Sequence, residues 1–184
     1  VCSGVYIRDL RAAGVLAEVS LELPINNPIQ QIDSLLADSS RPSLWNAKAL
    51  LLLNERRPDD ALEALDSGLA VTPDNVLAKS LKADISALKT NYDQAISLYS
   101  EVVDDHPWRH GDLLKRAGSY IQAGDLDRAE KDINYLIKLY PKGVSVNYAK
   151  GIIDFQRNNL EKSIQSFKVA ENDTQVFSSS LLYL

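Results

Sequence analysis

Between Pro42 and Pro73 the chain carries two runs of apolar residues at helical spacing, separated by a short polar break. The first opens at Trp45 and runs through Ala47, Ala49, Leu50, Leu51 and Leu52 to Leu53. The second follows Asp59 and Asp60 with Ala61, Leu62, Ala64 and Leu65. Apolar positions recurring at this interval predict amphipathic helices, and the break from Asn54 to Pro58 predicts a four- or five-residue turn. Two helices joined this way form a hairpin that cannot bury its whole apolar face alone. It needs a neighbour.

The neighbours repeat the same pattern. Ala61 recurs as Ala95 and Ala129, and Pro73 as Pro107 and Pro141, each step being 34 residues. Ala49, Ala83, Ala117 and Gly151 form a second ladder, and Leu65, Tyr99, Ile133 and Phe167 a third, with the same step. Self-similarity at a fixed period predicts stacked copies of one supersecondary unit. The units are expected at 42–75, 76–109, 110–143 and 144–174. Ser163 and Gln175 break the pattern in the last of these, and a further unit is expected to start within 175–184. Before Pro42, residues 5–23 read as one helix ended by Pro24. A second begins near Pro28 with Ile29, Ile32, Leu35 and Leu36, so 5–41 reads as a degenerate first unit.

Several residues carry a family resemblance. The small residues inside each helix pair, the turn acids Asp59, Asp93, Asp127 and Glu161, and the closing prolines resemble the tetratricopeptide repeat family. Trp45 matches the motif's aromatic near the start of a first helix, Tyr120 its bulky residue a turn later, and Gly124 its turn glycine. The resemblance implies an all-α, right-handed superhelical solenoid forming a single domain over 1–184, with about five hairpins and a truncated sixth.

It also implies where a partner would lie, because first helices in this family line a concave groove. Carried over, the groove is lined by Asn46, Leu50, Leu53 and Asn54, then by Leu77, Ser80, Asp84, Ala87 and Leu88. Leu114, Gly118, Ile121 and Gln122 follow, and Tyr148, Ile152, Phe155 and Gln156 complete it. Members that clamp a partner's terminal carboxylate use a lysine whose site falls here on Asn46, Ser80, Leu114 or Tyr148. None is basic, which speaks against that mode and for an apolar groove edged by amides.

Charge narrows the partners further. The 184 residues carry a net charge of -5, with basic residues interspersed among acidic ones. A nucleic-acid surface needs clustered Lys and Arg, so none is expected. The run from Ala49 to Leu53 is too short to span a bilayer. Cys2 is the single cysteine, which leaves no intrachain disulfide and no cysteine-based zinc site. Val1 in place of Met, and the apolar Leu181 to Leu184, are expected of a fragment of a longer protein.

Candidate chemistry is sparse. Asp59-Asp60, Asp104-Asp105 and Glu171 with Asp173 invite an acid–base reading, but the first two pairs read as helix starts or loops, where capping accounts for them. His106 and His110 stand four apart, a metal-like spacing, yet Pro107 interrupts them. With Asp105, Trp108 and Arg109 they make a loop cluster that can contact a partner, and Trp108, Arg109 and His110 are its candidate residues. Asp125 or Asp127 is expected to cap the helix that follows. Gly118 stands inside a helix, where it marks a close backbone approach or an open groove. Ser178 to Ser180 has no base beside it. Asn172-Asp173-Thr174 is a glycosylation sequon that matters only on a secretory route.

No catalytic residue, metal or cofactor is expected. The reading is a non-catalytic scaffold that holds a protein or peptide segment in its groove. The alternative is a structural subunit that uses its repeats for self-association, a homo-oligomer. At finer grain, Asn147 to Gly151 followed by Gln156 to Glu161 is similar in repeat style to long bacterial repeat proteins. Among these is the family that accompanies exosortase (PEP-CTERM) and exopolysaccharide systems. That resemblance implies a periplasmic or membrane-anchored place in export or surface-protein sorting, with a cytoplasmic place as the alternative.

Overall fold

The computed structural model describes residues 28–38 and 41–172. The described residues are helical, with nine helices and no strand: α1 Pro28–Asp38, α2 Pro42–Asn54, α3 Pro58–Val71, α4 Val76–Leu88, α5 Tyr92–Asp105, α6 His110–Gln122, α7 Leu126–Leu139, α8 Val144–Gln156 and α9 Leu160–Asn172. The expected helix at 5–23 and the start of a further unit at 175–184 lie outside the described residues. So do Cys2, Asp173 and Ser178 to Ser180.

The chain forms two compact units, one ending at Ile85 and the other beginning at Ser86. In the first, α1 packs on α2, and Ile32, Leu44, Ala47 and Leu51 close the space between them. The α2–α3 hairpin then joins the start of α4 around Ala49, Leu52, Ala61, Leu65, Ala78, Leu81 and Ile85. In the second, α5 to α9 pack in succession. Its core runs from Val103 and Leu113 through Ala117, Tyr120, Ile133 and Leu136 to Val146, Ala149 and Ile153.

The alanine ladders mark where helices approach most closely. Ala49, Ala61, Ala83, Ala95, Ala117 and Ala129 are all fully buried, with no room for a longer side chain. In the last hairpin the pattern changes because a ring occupies that space. A Cβ on Gly151 would meet the Phe167 ring at 2.5 Å. Ser163, standing where alanine is expected, donates its hydroxyl to the Gly151 carbonyl at 2.9 Å. In the first unit Gly68 makes the equivalent concession to Trp45, whose Cβ would lie 2.8 Å from an added methyl.

The turns repeat as strictly as the helices. After α2, α4, α6 and α8 the chain places Arg56, Thr90, Gly124 and Asn158 in the left-handed region, with φ between 58° and 81°. The next N–H in each case bonds five residues back: Arg57 to Leu52, Asn91 to Ser86, Asp125 to Tyr120 and Asn159 to Asp154. This is the Schellman ending of a helix. Three of the four positions hold a non-glycine residue. Of the two acids expected to cap α7, Asp125 does so, accepting from the Arg128 N–H at 3.0 Å.

Candidate protein-binding surface

In the second unit the first helices of successive hairpins, α6 and α8, lie side by side. Their amphipathic pattern turns Leu113, Ala117, Tyr120, Val146, Ala149 and Ile153 into the core. The opposite edge brings the expected residues together. Leu114 and Ile152 are partly buried against the core, Gln122 and Gln156 are exposed, and Tyr148 and Phe155 stand open, Phe155 at 61%. Gly118 and Ile121, expected on this face, are instead buried, Ile121 within the core itself.

In the first unit Leu50, Leu53 and Leu77 pack half-buried against the core, while Asn54 is exposed. Asn46 is 4% exposed, and its amide pairs reciprocally with that of Asn75 at 3.4 Å. Asn75 in turn accepts from the Ala78 N–H at the start of α4. Ser80 is likewise buried, and Asp84 and Ala87 are half-buried. Leu88, at the end of α4, is 62% exposed.

The loop cluster resolves into three ring contacts, in which each histidine meets other rings and not its fellow imidazole. His106 meets the edge of Trp108 at 5.1 Å, and Trp108 is 69% exposed. His110 turns to the end of α7, where its Nδ1 is 2.8 Å from the Tyr140 hydroxyl and its ring packs edge-on to Tyr135 and Tyr140. Arg109 is tied to the buried Asp112. Among the described residues no group of three His, Cys, Asp or Glu is placed to hold a metal. Asp104 and Asp105 lie in the last turn of α5, not at a helix start or in a loop. The helix runs on to the residue before His106 and Pro107, so capping does not account for them.

A basic ladder at the same period went unread in the sequence. Lys48, Lys82, Arg116 and Lys150 each stand on a first helix and each meet an acid. In the first unit Lys48 pairs with Asp33 at 2.6 Å and Lys82 pairs with Asp66. In the second, Arg116 makes two parallel bonds to Asp132, at 2.8 and 2.9 Å, and a third to Ser100. Burial works against the Arg116 charge, but the bonds and charge of Asp132, with help from Tyr120 and Asp104, outweigh it and leave the pKa raised. Lys150 behaves the same way: burial opposes its charge, and hydrogen bonds to Asp154 and Glu130 leave its pKa raised. Glu130 is held below the usual carboxylate range by the Arg157 hydrogen bond first, then by Lys150. The recurrence of Lys or Arg at the period was the signal available in the sequence.

These cations are therefore engaged with protein acids, and the face of α6 and α8 is left apolar with amide edges. In the first unit a cleft of about 360 Å³ between α1 and α3 is floored by Trp45 and Leu52. Both of its cations are paired, Lys48 with Asp33 and Arg57 with Asp60, and Glu63 also lines it.

Comparison with known proteins bears on this arrangement. A family model described as tetratricopeptide repeat matches residues 46–107 and 114–176, more than half of the chain. The chain belongs to the tetratricopeptide repeat family. Among curated proteins it is similar to the protein CTR9 homolog of Arabidopsis thaliana, at 28% identity over 151 residues. That match takes in 80% of this chain but 14% of the relative. It is also similar to the uncharacterized protein y4yS of Sinorhizobium fredii, at 39% identity over 56 residues, which is 30% of this chain and 31% of that protein. This chain thus spans under a third of either relative.

Solved structures share the fold at low identity. MamA from Desulfovibrio magneticus RS-1 matches with a TM-score of 0.74 at 16% identity, covering 94% of each chain. A tetratricopeptide repeat protein from Parabacteroides merdae matches at 0.73 and 15% identity, covering 92% of this chain and 67% of that one. Tetratricopeptide repeats generally mediate protein–protein contacts, which fits the open apolar face on α6 and α8.

Proposed function

We propose that this chain is a non-catalytic scaffold that holds a helix or extended segment of a protein partner along the face of its first helices. The observation that carries the reading is Phe155, 61% exposed and joined by Tyr148, with half-buried Leu114 and Ile152 beneath. An apolar strip of this kind gains affinity by burying a partner's alternate apolar side chains. The rim amides Gln122 and Gln156 are suited to that partner's backbone. No lysine or arginine on the strip is unengaged, so a terminal carboxylate is a poor fit. Trp108, on the loop before α6, is a second contact point of the aromatic kind that dominates interfaces.

The test is capture by the immobilised protein from lysate and from envelope extract, compared with Phe155→Glu and with Leu114→Glu/Ile152→Glu. Phe155→Glu changes an exposed residue and leaves the helix content intact by circular dichroism. Loss of the captured partner in both variants supports the reading, and capture unchanged in both overturns it. A place in bacterial export or surface-protein sorting rests on repeat style alone. Capture confined to the envelope extract would favour it.

A further inference from the structure

The last described helix carries a second apolar feature, distinct from the first-helix face. In α9, Ser163 and Ala170 turn inward, and Phe167 lies over Gly151 and against Tyr148, with ring centroids 5.4 Å apart. Leu160 and Ile164 point outward at 52% and 55% exposure. One period earlier the corresponding residues of α7 are Leu126 and Glu130. There α8 packs alongside, with Lys150 and Arg157 bonded to Glu130. The α9 position exchanges that charge for isoleucine.

Two of the charges beside the strip, Glu161 and Lys168, are placed symmetrically about it. On a helix of 3.6 residues per turn, Glu161, Ile164 and Lys168 share one outward face. Glu161 and Lys168 form no ion pair among the described residues, and both are exposed. They are equidistant from the midpoint between Ile164 and Gln165. A twofold axis through that midpoint sets two copies of α9 antiparallel. It sets Ile164 of each copy level with Gln165 of the other, so that the two Ile164 side chains lie next to each other about 1.5 Å apart along the axis, and places Glu161 of each copy opposite Lys168 of the other. Such an isologous contact needs self-complementarity, and the Glu161 and Lys168 charges on either side of Ile164 supply it.

We propose that the α9 face is a self-association surface whose occupant is a second copy of this chain, paired antiparallel about Ile164. The apolar residues supply the attraction, and the two Glu161–Lys168 pairs set the register rather than the affinity. This surface is independent of the first-helix face, so either proposal can fail alone.

The test is the mass of the full 184-residue chain by light scattering and sedimentation over a concentration series. A reversible dimer is expected, with Ile164→Asp monomeric. Glu161→Lys alone and Lys168→Glu alone each weaken the dimer about tenfold by placing like charges opposite one another. The double exchange restores it. All three positions are exposed, and unchanged circular dichroism separates loss of pairing from loss of fold. A monomer at every concentration overturns the proposal and assigns the strip to another protein or to residues 173–184. A dimer that ignores Ile164→Asp, or that the double exchange fails to restore, also overturns it.

Discussion

The hairpins α6–α7 and α8–α9 are built on one register and differ most in what lies over them. Ile121 and Phe155 occupy the same place one period apart, yet Ile121 is 4% exposed and Phe155 61%. Ile133 is fully buried, while its counterpart Phe167 is only partly covered. The helix α8 packs beside both members of the first hairpin, and no described helix does so for the second. A residue's position in the repeat therefore fixes which way it points. Whether it is core or surface depends on the next helix along.

The largest test of that comparison is a pair of truncations at equivalent positions. Ile121→Ala removes buried methyl groups and should cost about 3 kcal/mol, read from the urea midpoint. Phe155→Ala removes a larger side chain and should stay within about 0.5 kcal/mol of the parent. A loss of similar size at Phe155 would mean that this face is covered in solution. Arg116→Ala follows closely. It strands the partly buried Asp132, which makes its two bonds to Arg116, and should cost about 3 kcal/mol. Lys150 at the next repeat has Ser166 where Asp132 would stand, and pairs instead with Glu130 and Asp154.

A change at Glu130 tests that link between the two hairpins by its pH dependence. Arg157 and Lys150 hold its carboxyl below the ordinary Glu range. A depressed carboxyl contributes stability that is complete above its unfolded-state pKa and is lost as pH falls through the folded one. The melting-temperature gap between the parent and Glu130→Gln should accordingly be full near neutrality and close at acidic pH. A gap that persists unchanged to low pH would show that packing, not charge, joins α8 to α7.

The ladders of Ala61, Tyr99 and Pro107 made the hairpins and their phase legible, because small, bulky and chain-ending residues act locally and recur at a fixed step. The same logic read Asp125 as a cap. Exposure was less legible. Asn46, Ser80 and Ile121 carry the register of a groove, but each is buried, Asn46 by an amide pair with Asn75 that no periodicity announces. Asp104 and Asp105 read as a loop or helix start because Pro107 follows them, although a helix readily runs to within two residues of a proline. The ladder from Lys48 to Lys150 stood in the sequence at the same step. It passed unread because charged positions on helices are ordinarily solvent-facing.

A smaller effect separates the hairpins at Gly151. In the earlier hairpin its place is taken by Ala117, fully buried without strain. Gly151→Ala would press a methyl into the Phe167 ring and should cost about 1–2 kcal/mol. Phe167→Leu in the same chain should recover part of that loss, because the smaller side chain vacates the contact. A purely additive double mutant would place the cost in helix packing elsewhere.

The smallest effects lie in the turns, where the two hairpins place different residues in the left-handed position. Gly124 closes the first at φ 81° and Asn158 the second at φ 63°. Glycine enters this region freely, whereas a Cβ is resisted there, with asparagine tolerated best. Gly124→Ala should therefore cost about 1 kcal/mol, and Gly124→Asn less. Asn158→Gly should be close to neutral, because the steric relief is offset by greater freedom of the unfolded chain. Thr90, β-branched and held at φ 60°, is the position with most to gain, and Thr90→Gly should raise stability by about 0.5 kcal/mol. Measured as urea midpoints, the order Thr90→Gly, Asn158→Gly, Gly124→Asn, Gly124→Ala would tie each turn's contribution to its backbone angle. If Thr90→Gly destabilises instead, the threonine side chain supplies more at that turn than its left-handed backbone costs.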